Sequence, residues 1–110
     1  AGGFAKMTKL GQGLLDLHSR SGTVDLAWLA ERLAEAGAEP SVVKEARQAN
    51  TALEVLETAK SLGLPLADVV AQHAWRTAAK ALRGADIALE IMVFDRKGEL
   101  VGRVPFHPVA

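Results

Sequence analysis

Residues 87–106, IALEIMVFDRKGELVGRVPF, decide the fold. Across them the apolar spacing shortens from the helical period of about 3.6 residues to about 2. Ile87, Leu89, Ile91 and Val93 thereby share one side of an extended segment. The tetrad Asp95 to Gly98 carries turn chemistry, with glycine where a type I turn with a bulge demands positive φ. Leu100 to Phe106 then returns as a second strand. Met92 and Phe94 make the other side of this hairpin apolar too. A lone hairpin is marginal in water, so this one needs helices on both sides or further strands. The residues before it offer no strand, which leaves helical cover or strands from chain outside these 110 residues. Pro105 and Pro108 bar the closing FHPVA from a central strand.

Working back from Ile87, the pattern is helical throughout. Leu66, Val69, Val70, His73, Ala74, Thr77, Ala78 and Leu82 form one stripe ending at Gly84, and its alanines allow close packing. Before it, Pro40 and Ser41 open a longer helix with Val42, Val43, Ala46, Ala49, Leu53, Leu56 and Ala59 inward and Gly63 at its end. A short helix with Leu26, Leu29, Leu33 and Ala36 inward is capped by Thr23 or Asp25 and stopped by Gly37. The first helix carries Phe4, Met7, Leu10, Leu14 and Leu17 on one side. Gly11 and Gly13 within it each cost about 1 kcal/mol against alanine, which points to close approach of another backbone or of a ligand, or to a weak helix. The reading is α+β: about four helices followed by a C-terminal antiparallel β-hairpin, as a single domain over 1–110.

Thirteen basic and thirteen acidic residues cancel, so no global field gathers nucleic acid or an acidic membrane. The absence of cysteine excludes disulfides, thiolate zinc sites and cysteine nucleophiles, and fits a reducing, cytoplasmic setting. No apolar run reaches the ~20 residues of a membrane span. The three histidines lack metal-ligand spacing, so no metal site is expected.

Candidate chemistry gathers at the opening AGGFAKMTK. Glycines permit close backbone approach, a helix start presents free N–H groups, and Lys6 and Lys9 add positive charge, so a carboxylate or phosphate can be held there. His18 can serve as proton donor or substrate partner, or simply meet a helix dipole. Ser19 and Arg20 can bind an acidic group or lie in solvent. Asn50 and Thr51 interrupt the middle of the long helix, where the amide of Asn50 calls for a ligand or an interhelical partner. His73 reads as a structural histidine, and Trp75 and Arg76 as surface or interface residues. These features assemble no catalytic set.

Four stretches in this order, GGFAKMTKLGQGLLDLHSRSGTVDLAWLAE, ARQANTALEVLE, LPLADVVAQHAWRTAAKAL and IALEIMVFDRKGELVGR, resemble the C-terminal part of the CbiD family. The most specific piece is the opening at positions 2–19. The resemblance implies part of a larger α/β enzyme of cobalamin biosynthesis, which transfers a methyl group from S-adenosylmethionine to C(1) of cobalt-precorrin-5B. Gly3, Lys6, Lys9, His18, Ser19, Asn50 and Thr51 are then expected to meet that carboxylate-rich tetrapyrrole. It also implies a missing N-terminal portion as the chain's partner and no turnover by this segment alone; self-association into a homo-oligomer is a separate expectation. The competing expectation is a non-catalytic helical binding or assembly module.

Overall fold

A computed structural model describes residues 1–14 and 24–109. Among these residues five helices and three strands follow one another in the order β1 Gly2–Gly3, α1 Phe4–Gly11, α2 Leu26–Glu35, α3 Pro40–Arg47, α4 Ala52–Ser61, α5 Leu66–Ala81, β2 Ala88–Phe94 and β3 Leu100–Pro108. The α+β class is as expected, but three of the expected elements differ in detail.

The first difference is the sheet. Its order is β1-β2-β3, with β2 antiparallel to β3 and β1 parallel to β2. The opening Gly2–Gly3 is therefore a third strand, paired with Val93 and Phe94, and the hairpin is the larger part of a mixed sheet. Two glycines carry no strand pattern, because strand periodicity is read from side chains. The hairpin turn itself is as expected: Gly98 has φ +82°, and its N–H donates to the Asp95 carbonyl at 3.1 Å. Ile87 falls outside β2 and is 46% exposed, so the inward side begins in earnest at Ile91 and Val93. β3 continues to Pro108, which its position at the sheet edge allows, and the register slips by one residue between Leu89 and Ile91, opposite Pro105 and Phe106.

The second difference is α1, which stops at Gly11 instead of running on to Leu17. Gly13 takes φ +96°, its N–H donates to the Leu10 carbonyl, and the Leu14 N–H donates to the Lys9 carbonyl, both at 3.0 Å. That pair of bonds is a Schellman stop, which a left-handed glycine stabilises. Leu17 lies outside the described residues.

The third difference is the long helix over 40–62, which is two helices. α3 ends at Arg47, and α4 restarts on Thr51, whose hydroxyl oxygen accepts from the Glu54 N–H at 3.2 Å. The Glu54 carboxylate reaches back to the Asn50 N–H at 3.2 Å. Thr51-x-x-Glu54 thus works much as a capping box does, satisfying N–H groups that a continuous helix would have paired internally.

α5 is the central element. Leu66, Val70, Ala71 and Ala74 on it are fully buried, with Leu29 and Leu33 of α2, Val55, Leu56 and Ala59 of α4, and Val93 of β2. Small residues set its distances. A Cβ built on Gly11 would lie 3.0 Å from the Trp28 ring, 3.3 Å from the His73 Cβ and 3.5 Å from the Ala74 nitrogen, so Gly11 makes room for the Trp28 side chain and for α5. A Cβ on Gly102 would collide with the Ala67 carbonyl, which seats β3 directly on the first turn of α5. Trp75 is more than a surface residue: it is partly buried, and its indole N–H donates to the Leu89 carbonyl at 2.9 Å, pinning the far end of α5 to β2. His73 has the expected structural role, with Nε2 3.2 Å from the Glu35 carboxylate and its ring edge-on to Trp28.

Candidate functional site

Because β1 pairs with the end of β2, the β1–α1 junction comes to rest beside the hairpin turn, and the capped start of α4 closes the third side. Between them lies a cleft of about 580 Å³ lined by Gly3, Phe4, Ala5, Lys6, Thr51, Leu53, Phe94, Asp95 and Arg96. Three segments far apart in sequence supply it: the opening, the restart of α4 and the DRKG turn. Its walls are apolar, from Phe4, Leu53 and Phe94, and two cations, Lys6 and Arg96, belong to its lining.

Local structure explains each placement. Gly3 is the N-cap of α1 in extended conformation (φ −70°, ψ 163°), and no side-chain cap bond is made there. Nothing lies within 4 Å of where a Gly3 Cβ would sit. Phe4 and Met7 point into the core, which leaves Lys6 on the exposed face of the first turn. Lys6 therefore adds a positive charge to the positive end of a helix dipole. Thr51 enters as the cap of α4, and Leu53 follows it. Phe94 comes from the outward side of β2, the second apolar side that the hairpin alternation showed.

The carboxylate on the cleft wall is already committed. Asp95 is 4% exposed at its side chain and accepts from the Lys97 N–H at 2.9 Å, the Glu99 N–H at 3.0 Å and the Lys60 ammonium at 3.2 Å. The Glu99 amide is the largest influence holding its pKa below the ordinary 3.8, with Lys60 and the Lys97 amide adding to it against the opposing effect of partial burial. Lys60 is correspondingly raised above 10.5, first by its hydrogen bond to Asp95. The net positive charge of Lys6 and Arg96 is thus offset by no uncommitted acid in the lining. An apolar cleft with cations in its lining suits a flat or bulky apolar group that carries carboxylates.

Gly3, Lys6 and Thr51, three of the residues singled out from sequence, line this cleft together. Lys9 stands one turn further along α1, in its last turn and away from the lining. Asn50 is exposed in the α3–α4 break, where its backbone N–H serves the Glu54 carboxylate. His18 and Ser19, with Arg20, lie outside the described residues. Arg96 reads in the sequence only as a turn residue and Leu53 only as core, so neither stands out there as cleft lining. The available signal was the apolar outer side of the hairpin next to a basic turn.

A family model described as CbiD, C-terminal domain, matches residues 16–105. Among curated proteins the chain is 63% identical over 103 residues to the cobalt-precorrin-5B C(1)-methyltransferase of Bradyrhizobium sp. (strain BTAi1), covering 94% of this chain and 27% of that protein. It is 51% identical over 108 residues to the protein of the same name from Agrobacterium fabrum, covering 98% and 29%. A third such methyltransferase, from Methylorubrum extorquens, is 52% identical over 101 residues, covering 92% and 28%. The chain therefore spans between 27% and 29% of the length of these relatives. No solved structure matches it. Among the described residues no helix is long and apolar enough to cross a membrane.

Proposed function

The chain belongs to the CbiD family, to whose C-terminal domain most of its length corresponds, and from that premise we propose that it is one part of a cobalt-precorrin-5B C(1)-methyltransferase. In this reading its cleft holds the carboxylate-bearing edge of the tetrapyrrole while the rest of the longer protein completes the site. The observation that carries the proposal is the convergence of Gly3, Lys6, Thr51 and Arg96 on one apolar cleft. Methyl transfer needs the accepting carbon fixed in line with the methyl group, and side-chain carboxylates around a ring are handles for that orientation. Lys6 and the α1 N-terminus take one carboxylate, Arg96 another, and Phe4, Leu53 and Phe94 exclude water beside the ring.

S-adenosylmethionine, the methyl donor implied by the family, supplies an electrophilic methyl on a sulfonium cation. The described lining does not fit it: the cleft is cationic, and Asp95, which could have met ribose hydroxyls, is bound by Lys60 and two amides. In this reading the donor is held outside this cleft, and the enzyme acts in the cytoplasm with its tetrapyrrole intermediates.

The test is substrate affinity in the full-length enzyme. Each of Lys6→Ala and Arg96→Ala is expected to weaken cobalt-precorrin binding about two- to fivefold, as for partly solvated ion pairs worth roughly 0.2–1 kcal/mol. Unchanged affinity in the double variant would remove the cleft from the substrate site.

A further inference from the structure

β2 is the central strand of this sheet, yet its two edges are unequally covered. On one edge β3 accompanies it from Ala88 to Phe94. On the other, β1 reaches only Val93 and Phe94. Both register slips add a residue to β3, so β2 keeps its regular alternation. The Val109 N–H donates to the Ile87 carbonyl and the Asp95 N–H to the Glu99 carbonyl, which fixes the odd-numbered residues of β2 as those whose peptide groups face β3. The even-numbered residues face the other way, and no strand among the described residues stands opposite Ala88 and Glu90.

β1 points the way to the occupant. It runs parallel to β2 with Gly2 opposite Val93, so counting back places Ala1 opposite Met92. Any residue joined to Ala1 and continuing in the same direction must pass Ile91, Glu90, Leu89 and Ala88 in turn. The relatives are more than three times as long as this chain, and the matching model is that of a C-terminal domain, so the additional chain precedes Ala1.

We infer that the residues immediately preceding Ala1 in the longer protein extend β1 backward as a parallel strand along Ala88–Met92. The central strand thereby pairs on both edges, and the sheet of this domain is built partly by the upstream portion of the enzyme. Open strand edges are ready templates for added strands, and main-chain hydrogen bonds supply the affinity of such additions. The tether at Ala1 fixes the register: the second residue before Ala1 faces Glu90, and the third faces Leu89 with its side chain on the opposite side of the sheet.

The full-length protein provides the test. Amide hydrogen exchange at Ala88 and Glu90 is expected to be as slow as at Phe94, within about tenfold; faster exchange overturns the inference. Protection alone does not tell this strand from another, so cysteine pairing distinguishes them. Glu90→Cys combined with cysteine at the second residue before Ala1 is expected to oxidise to a disulfide, whereas cysteine at the third residue does not. No disulfide at the in-register position, or equal yield at both, overturns the inference. The exchange measurement uses unmodified protein, so it stands even if the loss of the Glu90–Arg103 ion pair impairs folding of the variant.

Discussion

Gly3 and Gly102 are glycines for different reasons, and alanine at each separates the cleft from the core. At Gly102 an added methyl strikes the Ala67 carbonyl, an immovable backbone atom of α5. Gly102→Ala is therefore expected to destabilise the protein by about 1–3 kcal/mol, the usual cost of overpacking, as measured by denaturant unfolding. At Gly3 the backbone is extended and the space is open. Gly3→Ala is expected to leave stability within about 1 kcal/mol of the parent, since alanine also restricts the unfolded chain. Its methyl nevertheless enters the cleft beside Lys6, so cobalt-precorrin affinity should fall while stability holds. Equal affinity for parent and Gly3→Ala would show that substrate does not approach this backbone. The role of Gly102 was not legible in sequence, because a missing side chain shows that room is needed without showing what fills it, whereas Gly3 stood out through the lysines that follow it.

Element boundaries rest on single polar contacts that compete with periodicity. The apolar stripe over 40–62 runs nearly unbroken, so spacing alone reads one helix; the bonds of Thr51 and Glu54 to backbone N–H groups divide it. Thr51→Ala is expected to cost about 1 kcal/mol in unfolding free energy, as for other lost N-caps. The hairpin and its turn were legible, and the α2 cap was narrowed to Thr23 or Asp25, because Gly98 and Asp25 carry local signals that tertiary packing does not override. β1 and the end of α1 were not, since one is two residues of glycine and the other depends on which of two glycines turns left-handed. α4 and the turn are further joined by Lys60 and Asp95. The folded pKa of Asp95 is lowered, so its contribution is present above the unfolded value near 3.8 and is lost as pH falls through the lower folded value. The raised folded pKa of Lys60 keeps its contribution intact below 10.5 and removes it as pH rises through the higher value. Asp95→Asn is therefore expected to lower the thermal midpoint at neutral pH, with the gap to the parent closing below about pH 4. A gap that stays constant into strong acid would mean that the charge of Asp95 does not hold the turn.

At the scale of the whole molecule, the cleft is a joint product of segments far apart in the chain. The cleft draws one wall from each of three distant segments, so it exists only when β1, α4 and the hairpin turn are assembled. Its opening segment is also the one that the inferred strand would extend, with Gly3 itself paired in β1 and Lys6 three residues further on. Whatever positions that segment positions the cationic wall of the cleft. The two residue pairs of β1 are a weak hold by comparison with a full parallel strand, because pairing stability accumulates along the ladder. The described lining also offers the methyl donor no suitable partners, whereas it does offer partners to carboxylates. On the proposed function, substrate contact and methyl supply then fall to different parts of the longer enzyme. The expected outcome is that residues 1–110 alone, supplied with S-adenosylmethionine and cobalt-precorrin-5B, form no methylated product by mass spectrometry, while the full-length enzyme does under the same conditions. Turnover by the 110-residue chain would show instead that donor, acceptor and catalytic groups all reside here, and the division of labour argued from the cleft would be wrong.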